Sequence, residues 1–150
     1  MALFLSTFEN KIDKKGRVSV PASFRASIAK SPNSENFNGI IVYPSFVNES
    51  IEACGFDRIE QISKSIDNLD PYSEERDAFA ATILGDSVQL SFDNEGRVII
   101  PENLLKIANL EDTAIFVGKG QNFEIWHPSK YKSYIEKARI IAKEKRGILK

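Results

Sequence analysis

Apolar and polar residues alternate in the same order at two places in the chain, each with the pattern of a β-hairpin and a short helix. The strand-like segments cover residues 6–12 and 17–20, and again residues 88–92 and 97–100. A proline follows each second strand, which favours an extended residue before it and a helix start after it. Apolar pairs four residues apart then predict helices over about 22–29 and 102–108.

The two places are copies of one motif. Residues 12–21 align without a gap with residues 92–101, and the Asp, Gly, Arg, Val and Pro of the motif are identical in both. Such self-similarity is the signature of an internal duplication. The unit is predicted as strand, turn, strand, helix, strand, helix, and it occurs twice. Its later strands are expected at 39–43 and 123–127, with an additional strand at 113–117.

This repeat predicts an α+β fold with a mainly β core and flanking helices. No low-complexity linker separates the two halves. Helices are also expected around Ile59, Ile62 and Ile66, over 73–84, and from about Ser129. The predicted parts are a first repeat at 3–46, connecting helices at 47–82, a second repeat at 83–128, and a basic C-terminal helix or tail at 129–150.

Each copy contains an Asp-x-x-Gly turn followed by an arginine. Asp13 and Asp93 suit the first position of a type I turn, and Gly16 and Gly96 suit its last position, where a positive φ is required. A lone Asp four residues before an Arg is typical of a turn cap that also pairs with the guanidinium. These four residues are therefore predicted to orient the turn rather than to act as catalytic acids.

Charge is distributed unevenly along a chain whose formal net charge is only −1. Residues 1–30 carry a net charge of +4 and residues 128–150 a net charge of +6, whereas residues 31–127 carry −11. A protein of nearly neutral total charge can therefore still present a basic surface. Solvated charges on helices and loops would give the same pattern, so the charge pattern alone leaves both interpretations open.

Several functional classes lose support from the composition. One Cys and one His exclude a disulfide framework and a Cys/His zinc site within one chain, so no metal or other cofactor is expected. No segment has transmembrane length, and the N-terminus lacks the basic region of a signal peptide, so a cytoplasmic location is expected. Enzymatic activity and a small-molecule substrate are not expected, because the acidic residues lack a positioned partner base.

The duplicated motif resembles the MraZ family within the wider AbrB-type superfamily. Both Asp-x-x-x-Arg turns lead into Val-x-Val/Ile-Pro, and Phe123 to Pro128, followed by Tyr131, is similar to the second half of that family. The resemblance covers roughly residues 3–135 and does not extend to residues 138–150. It implies two SpoVT-AbrB-type hairpins interlocked as a pseudo-two-fold, swapped-hairpin barrel. It also implies a homo-oligomeric ring that represses transcription from direct repeats in the promoter of a division and cell-wall gene cluster, on the nucleoid.

Double-stranded DNA is the partner that this resemblance implies, and the basic residues near the turns are the candidates for contacting it. Arginine reads guanine or clamps phosphate with its planar fork, whereas lysine mainly holds phosphates. The first copy is the better candidate, because lysines surround Arg17, whereas Asp86, Glu95 and Glu102 accompany Arg97 and would repel phosphate. The candidate DNA-binding residues are Arg17, Lys14, Lys15, Lys11, Arg25 and Arg97.

Two alternatives remain open on the sequence alone. Each Asp–Arg pair can be a hairpin salt bridge with no external partner. The whole chain can also be an AbrB-like antitoxin or a protein-binding assembly module. Trp126, Tyr131 and Phe123 are predicted to pack in the core rather than to stack on bases. Cys54 is predicted to be a buried apolar residue.

Overall fold

A computed structural model of the chain describes residues 2–31 and 37–149. Residues 32–36 of the predicted first repeat and Lys150 of the predicted tail lie outside the described residues, as does Met1. The fold is α+β. The strands are β1 (Thr7–Lys11), β2 (Arg17–Ser19), β3 (Gly39–Pro44), β4 (Ile51–Cys54), β5 (Val88–Ser91), β6 (Arg97–Ile99), β7 (Thr113–Gly118) and β8 (Phe123–Trp126).

Helices follow these strands in both halves. The α-helices are α1 (Ala22–Ala29), α2 (Phe56–Asp67), α3 (Glu74–Phe79), α4 (Glu102–Ile107) and α5 (Pro128–Glu144). A π-helical turn (Ala80–Gly85) continues α3, and a 3₁₀ turn (Arg146–Ile148) ends the chain after α5. Phe79, Ala80 and Asp86 keep right-handed helical backbone angles, so residues 74–85 form one helical segment with a wide last turn.

The two halves exchange strands. Six strands form an antiparallel sheet in the order β1-β7-β8-β4-β3-β5, and β2 and β6 form a separate two-stranded ribbon. Strand β1 of the first half pairs with β7 of the second, and β5 of the second pairs with β3 of the first. The order is therefore symmetric about the central β4–β8 pair, as expected for a duplicated unit.

The main core lies between the sheet, the ribbon and two helices. It contains Phe116 and Ile125 from the sheet, Val18 from the ribbon, Phe24 from α1 and Leu104 from α4, all of them fully buried. Alternate residues of the same strands face the other side of the sheet, as the pleat requires. There Ile41 and Tyr43 pack with α2 and the π-helical turn, and Ile115 and Val117 pack with α5.

The predicted repeat unit was one strand too short. Strand β4 lies within residues 47–82, where only helices were expected. It pairs with β3 as β8 pairs with β7, so β3 corresponds to β7 and not to β8. The unit is strand, strand, helix, strand, strand, helix. Within the described residues the strand pairings give two separate sheets, so the closed swapped-hairpin barrel stays a prediction.

Candidate nucleic-acid interface

The first turn is held by one carboxylate. Oδ1 of Asp13 accepts hydrogen bonds from the backbone N–H groups of Lys15 and Arg17, both at 2.9 Å. Oδ2 of Asp13 accepts from Nε of Arg17 at 2.6 Å. The backbone N–H of Gly16 donates to the Asp13 carbonyl at 3.0 Å, and Gly16 has a φ of +81°. The carboxylate therefore fixes both the turn and the direction in which the Arg17 side chain leaves it.

The second turn repeats this geometry. Oδ1 of Asp93 accepts from the N–H groups of Glu95 and Arg97, and Oδ2 accepts from Nε of Arg97 at 2.9 Å. Gly96 has a φ of +78°. The pKa of each aspartate is lowered, first by the backbone N–H of the arginine four residues later. Both carboxylates are therefore charged at neutral pH. Each of them accepts a hydrogen bond from the Nε atom of its arginine.

The ribbon places both arginines on one exposed face. Arg17 lies opposite Ile99, and Ser19 lies opposite Arg97, with Val18 and Val98 paired between them. The two valines are buried in the core, so the residues on either side of them point away from it. Each arginine is partly exposed, with 34% of the Arg17 side chain and 29% of the Arg97 side chain accessible. The result is a two-stranded surface bearing two oriented guanidinium groups.

The turn of each hairpin is hydrogen-bonded to the residue that follows the ribbon strand of the other hairpin. The N–H of Val20 donates to the Gly96 carbonyl at 3.2 Å, and the N–H of Ile100 donates to the Gly16 carbonyl at 2.9 Å. A Cβ atom at Gly16 would lie 3.0 Å from the Ile100 carbonyl oxygen. Neither turn is therefore an isolated hairpin tip, and the positions of the two arginines are coupled.

The lysines lie around the first turn. Lys14 and Lys15 occupy its exposed middle positions, and Lys11 ends β1 beside it. The second turn has Asn94 and Glu95 at its middle positions, and Glu95 lies 3.7 Å from Nε of Arg97. The two ends of an otherwise symmetric ribbon thus differ in charge.

Arg25 is placed by the strand exchange against the second turn. Its Nε donates to the Val20 carbonyl at 3.1 Å, and a Cβ atom at Gly96 would lie 2.5 Å from its Cζ. The corresponding residue of the other copy is Leu105, which packs beside Gly16. Arg25 therefore adds positive charge beneath the acidic second turn, a position that sequence order does not reveal.

The aromatic residues that were predicted to pack do so. Phe123 and Trp126 are buried, and the half-buried Tyr131 and Tyr134 pack on Trp126 with ring centroids at 5.9 and 4.5 Å. Cys54 is buried as predicted, and burial raises the pKa of its thiol to about 12. Within the described residues no cluster of His, Cys, Asp or Glu has the geometry of a metal site. No described helix is long and apolar enough to cross a membrane.

Sequence reasoning missed a buried polar cluster at the centre of the sheet. Glu52 of β4 lies directly opposite Glu124 of β8. Glu124 is buried and accepts from Nε1 of Trp126 and from Nζ of Lys119, both at 2.8 Å, while Glu52 accepts from Nδ2 of Asn122. The signal for this pair is the equivalence of β4 and β8 in the two halves, which places Glu52 at the position that Glu124 has in the second copy.

The strand exchange and the paired arginine turns define a class of protein: chains of two equivalent halves that share one antiparallel sheet and one two-stranded ribbon. A family model described as "MraZ protein, putative antitoxin-like" matches residues 83–150. The chain is 56% identical to the transcriptional regulator MraZ of Rickettsia bellii over 100% of its own length and 98% of that relative. The regulators of the same name from Rickettsia felis and Rickettsia rickettsii are 54% and 53% identical with the same coverage. The chain belongs to the MraZ family.

Proposed function

We propose that the chain is a sequence-specific DNA-binding regulator of transcription that represses from direct repeats in a promoter. The relatives are named transcriptional regulators, which supports the role in transcription. On this proposal it acts in the cytoplasm, on the nucleoid, and the promoter is that of its own division and cell-wall gene cluster.

The observation that carries the proposal is the ribbon with Arg17 and Arg97 on its exposed face. Two-stranded β-ribbons are among the elements that fit the major groove of B-DNA. Each arginine is bonded to an aspartate through Nε, so this hydrogen bond does not use its two terminal nitrogens. Those nitrogens form the bidentate fork that matches guanine O6 and N7.

The difference in charge between the two turns indicates which arginine contacts the DNA bases more strongly. Lys11, Lys14 and Lys15 flank Arg17, so this end of the ribbon attracts the phosphate backbone most strongly. Arg97 lies beside Asp93 and Glu95, and Arg25 beneath the turn partly offsets those charges. We therefore assign base contact first to Arg17, and a weaker contact to Arg97.

The proposal includes a closed core and self-association. The ribbon and the sheet share one core cluster, which supports a swapped-hairpin barrel around it. Large apolar side chains remain on the surface of a single chain, among them Phe46, Val47 and Leu149 with 60% or more exposed. Exposed apolar groups of this kind mark interaction surfaces when they cluster. Several chains in a ring would bring several Arg17 side chains to tandem DNA repeats and add their affinities.

Measurement of DNA binding by Arg17→Ala tests the proposed site. The probe is a duplex from upstream of the gene, with a scrambled duplex of the same length as competitor. Loss of one bidentate contact weakens specific binding by about 1–3 kcal/mol per site. Arg17→Lys is expected to retain non-specific binding and to lose discrimination, because lysine keeps the charge without the fork. Lys64→Ala, an exposed position on α2, is the control.

The salt dependence of the same binding tests the charge assignment. Lys14→Gln and Lys15→Gln are each expected to lower the slope of log affinity against log salt by about one unit or less per site. Lys64→Gln is expected to leave the slope unchanged. Wild-type affinity and slope in folded Arg17 and Lys14 variants would refute the site. Assembly without any DNA binding would favour the protein-binding alternative.

A further inference from the structure

The end of α5 extends beyond the body of the protein. Tyr131 and Tyr134 hold the start of the helix against Trp126, and the same helical stripe continues through Ala138 to Ile141. From Arg139 onward every described residue is exposed. Ile140 and Ile141 are 58% and 53% exposed, and Ile148 and Leu149 are 76% and 88% exposed. We call residues 139–149 the tail segment.

The first half carries an apolar groove on its helical surface. It has a volume of about 310 Å³ and lies between α2, the π-helical turn and the segment after β3. Leu69, Phe79 and Phe46 are partly exposed along it. We call this the α2 groove, and its apolar lining is Phe46, Ile62, Ile66, Leu69, Phe79 and Ile83.

The charges of these two surfaces are opposite. Residues 56–86, which form α2, α3 and the π-helical turn, contain eight acidic and three basic residues. The tail segment contains four basic residues and one acidic residue. The helices that form the groove therefore carry a net negative charge and the tail segment a net positive one, while the charged residue that lines the groove itself is Arg58. The two surfaces are complementary in apolar character and in the overall charge of their elements, which are the two features that helix-in-groove recognition uses.

The repeat shows what the tail segment lacks. Helix α2 follows β4 as α5 follows β8, so the two helices are equivalent. In the first half, Ile66 of α2 is buried in one cluster with Ile83 of the following helical segment. Within the described residues the second half has only a short 3₁₀ turn after α5, and no α-helix that could provide the same cover. In the first half, α2 is thus covered by a later segment of the same chain. The equivalent helix α5 can obtain such cover from another molecule.

We propose that the tail segment of one copy docks into the α2 groove of a second copy. The donor and acceptor surfaces belong to different halves of the chain, so the contact is head-to-tail and each copy can both give and receive. This inference rests on the self-association included in the proposed function, and it names the surfaces that produce it. Ile140, Ile141, Ile148 and Leu149 supply the apolar contacts, and Lys143, Lys145 and Arg146 between them meet the net negative charge of α2 and α3.

Sedimentation velocity of the full chain tests this contact. Ile141→Asp is expected to raise the dissociation constant for self-association at least about tenfold. The variant loses the isoleucine side chain that the contact buries, and it places a charge in the groove. Leu5→Asp is the matched control, since Leu5 is also exposed and lies before β1, outside both surfaces. Circular dichroism and the thermal midpoint establish that each variant remains folded.

A cross-link identifies the partner surface. A chain with Ile141→Cys is mixed with a differently sized tagged chain carrying Leu69→Cys, and mild oxidation is expected to join the two chains. Cys54 is 1% exposed, so it does not compete. Ile99→Cys, on the exposed face of the ribbon, replaces Leu69→Cys as the control and is expected to give no cross-link.

The outcomes separate this inference from the proposed function. Self-association that survives Ile141→Asp, or that Leu5→Asp abolishes instead, overturns the tail contact and leaves DNA binding untouched. If a chain that carries both Ile141→Cys and Leu69→Cys forms only a disulfide within the same chain, the tail contact between copies is also overturned. If the wild-type chain sediments as a monomer, both the tail contact and the proposed ring are overturned. If Arg17→Ala loses DNA binding while its oligomer stays intact, that result supports only the assignment of the DNA interface.

Discussion

Each of the two turns is held by the hydrogen bonds of one aspartate and contacts one group from the other half of the chain. Asp13 bonds to groups two and four residues later, and Asp93 does the same in the second copy. Because these bonds span so few residues, the Asp-x-x-Gly-Arg pattern was enough to predict the turns. What the pattern did not contain is the neighbour from the other half, the Ile100 carbonyl at Gly16 and the Arg25 guanidinium at Gly96.

Gly16→Ala is expected to destabilise the protein by about 1–3 kcal/mol, since alanine at a φ of +81° is strained and its Cβ meets a backbone carbonyl. Urea denaturation measures the free energy of unfolding. Gly147→Ala is the control, because its Cβ meets nothing within 4 Å and its φ is not in the left-handed region. Equal stabilities of the two variants would contradict the strain argument.

At the scale of elements, β4 and β8 form the centre of the sheet and bring two carboxylates together. Sequence reasoning found β8 from its aromatic and β-branched residues, but missed β4. Both strands are four residues long and contain a glutamate, and they differ in their last two residues: Ala53 and Cys54 stand in β4 where β8 has Ile125 and Trp126, and alanine is depleted in strands whereas isoleucine and tryptophan are enriched. Pairing with β3 and β8 on both sides, and not intrinsic preference, makes this segment a strand.

The half-buried Glu52 predicts a dependence of stability on pH. Burial, and then the nearby Glu124 carboxylate, raise the pKa of Glu52 above its ordinary value of 4.5. The folded state therefore holds this proton longer than the unfolded state, and the contribution of Glu52 to stability is lost as the pH rises from 4.5 through the folded pKa. Glu52→Gln keeps an acceptor for Asn122 and removes the charge.

We expect Glu52→Gln to be more stable than wild type at pH 7, and the difference to shrink as the pH falls toward 4.5. Urea denaturation midpoints across that range provide the measurement. Glu136→Gln, at an exposed position of α5, is the control and is expected to follow wild type. A constant difference at every pH would show that Glu52 is charged alike in both states.

At the scale of the whole molecule, the duplication determines which parts depend on one another. The sequence predicted two copies and most of their helices and strands, because hydrophobic period and turn residues are local signals. It did not predict that β1 pairs with β7 or β5 with β3, since those partners lie more than 45 residues apart in the chain. For the same reason the sequence shows Arg25 only as a residue of the first copy, whereas its guanidinium packs beneath the second turn.

Because the two halves exchange strands, neither half contains all the pairing partners of its own strands. A fragment of residues 1–70 retains the β3–β4 pair but loses the partners of its other edges: β7 for β1, β6 for β2, β5 for β3 and β8 for β4. Such a fragment leaves unpaired strand edges and half of the main core exposed to water. We therefore expect residues 1–70 alone to be poorly folded or to self-associate, as measured by circular dichroism and sedimentation. Mixing with residues 71–150 supplies every missing partner and is expected to restore the spectrum of the full chain. A monomeric 1–70 fragment with a cooperative unfolding transition would show that the first half folds without the second.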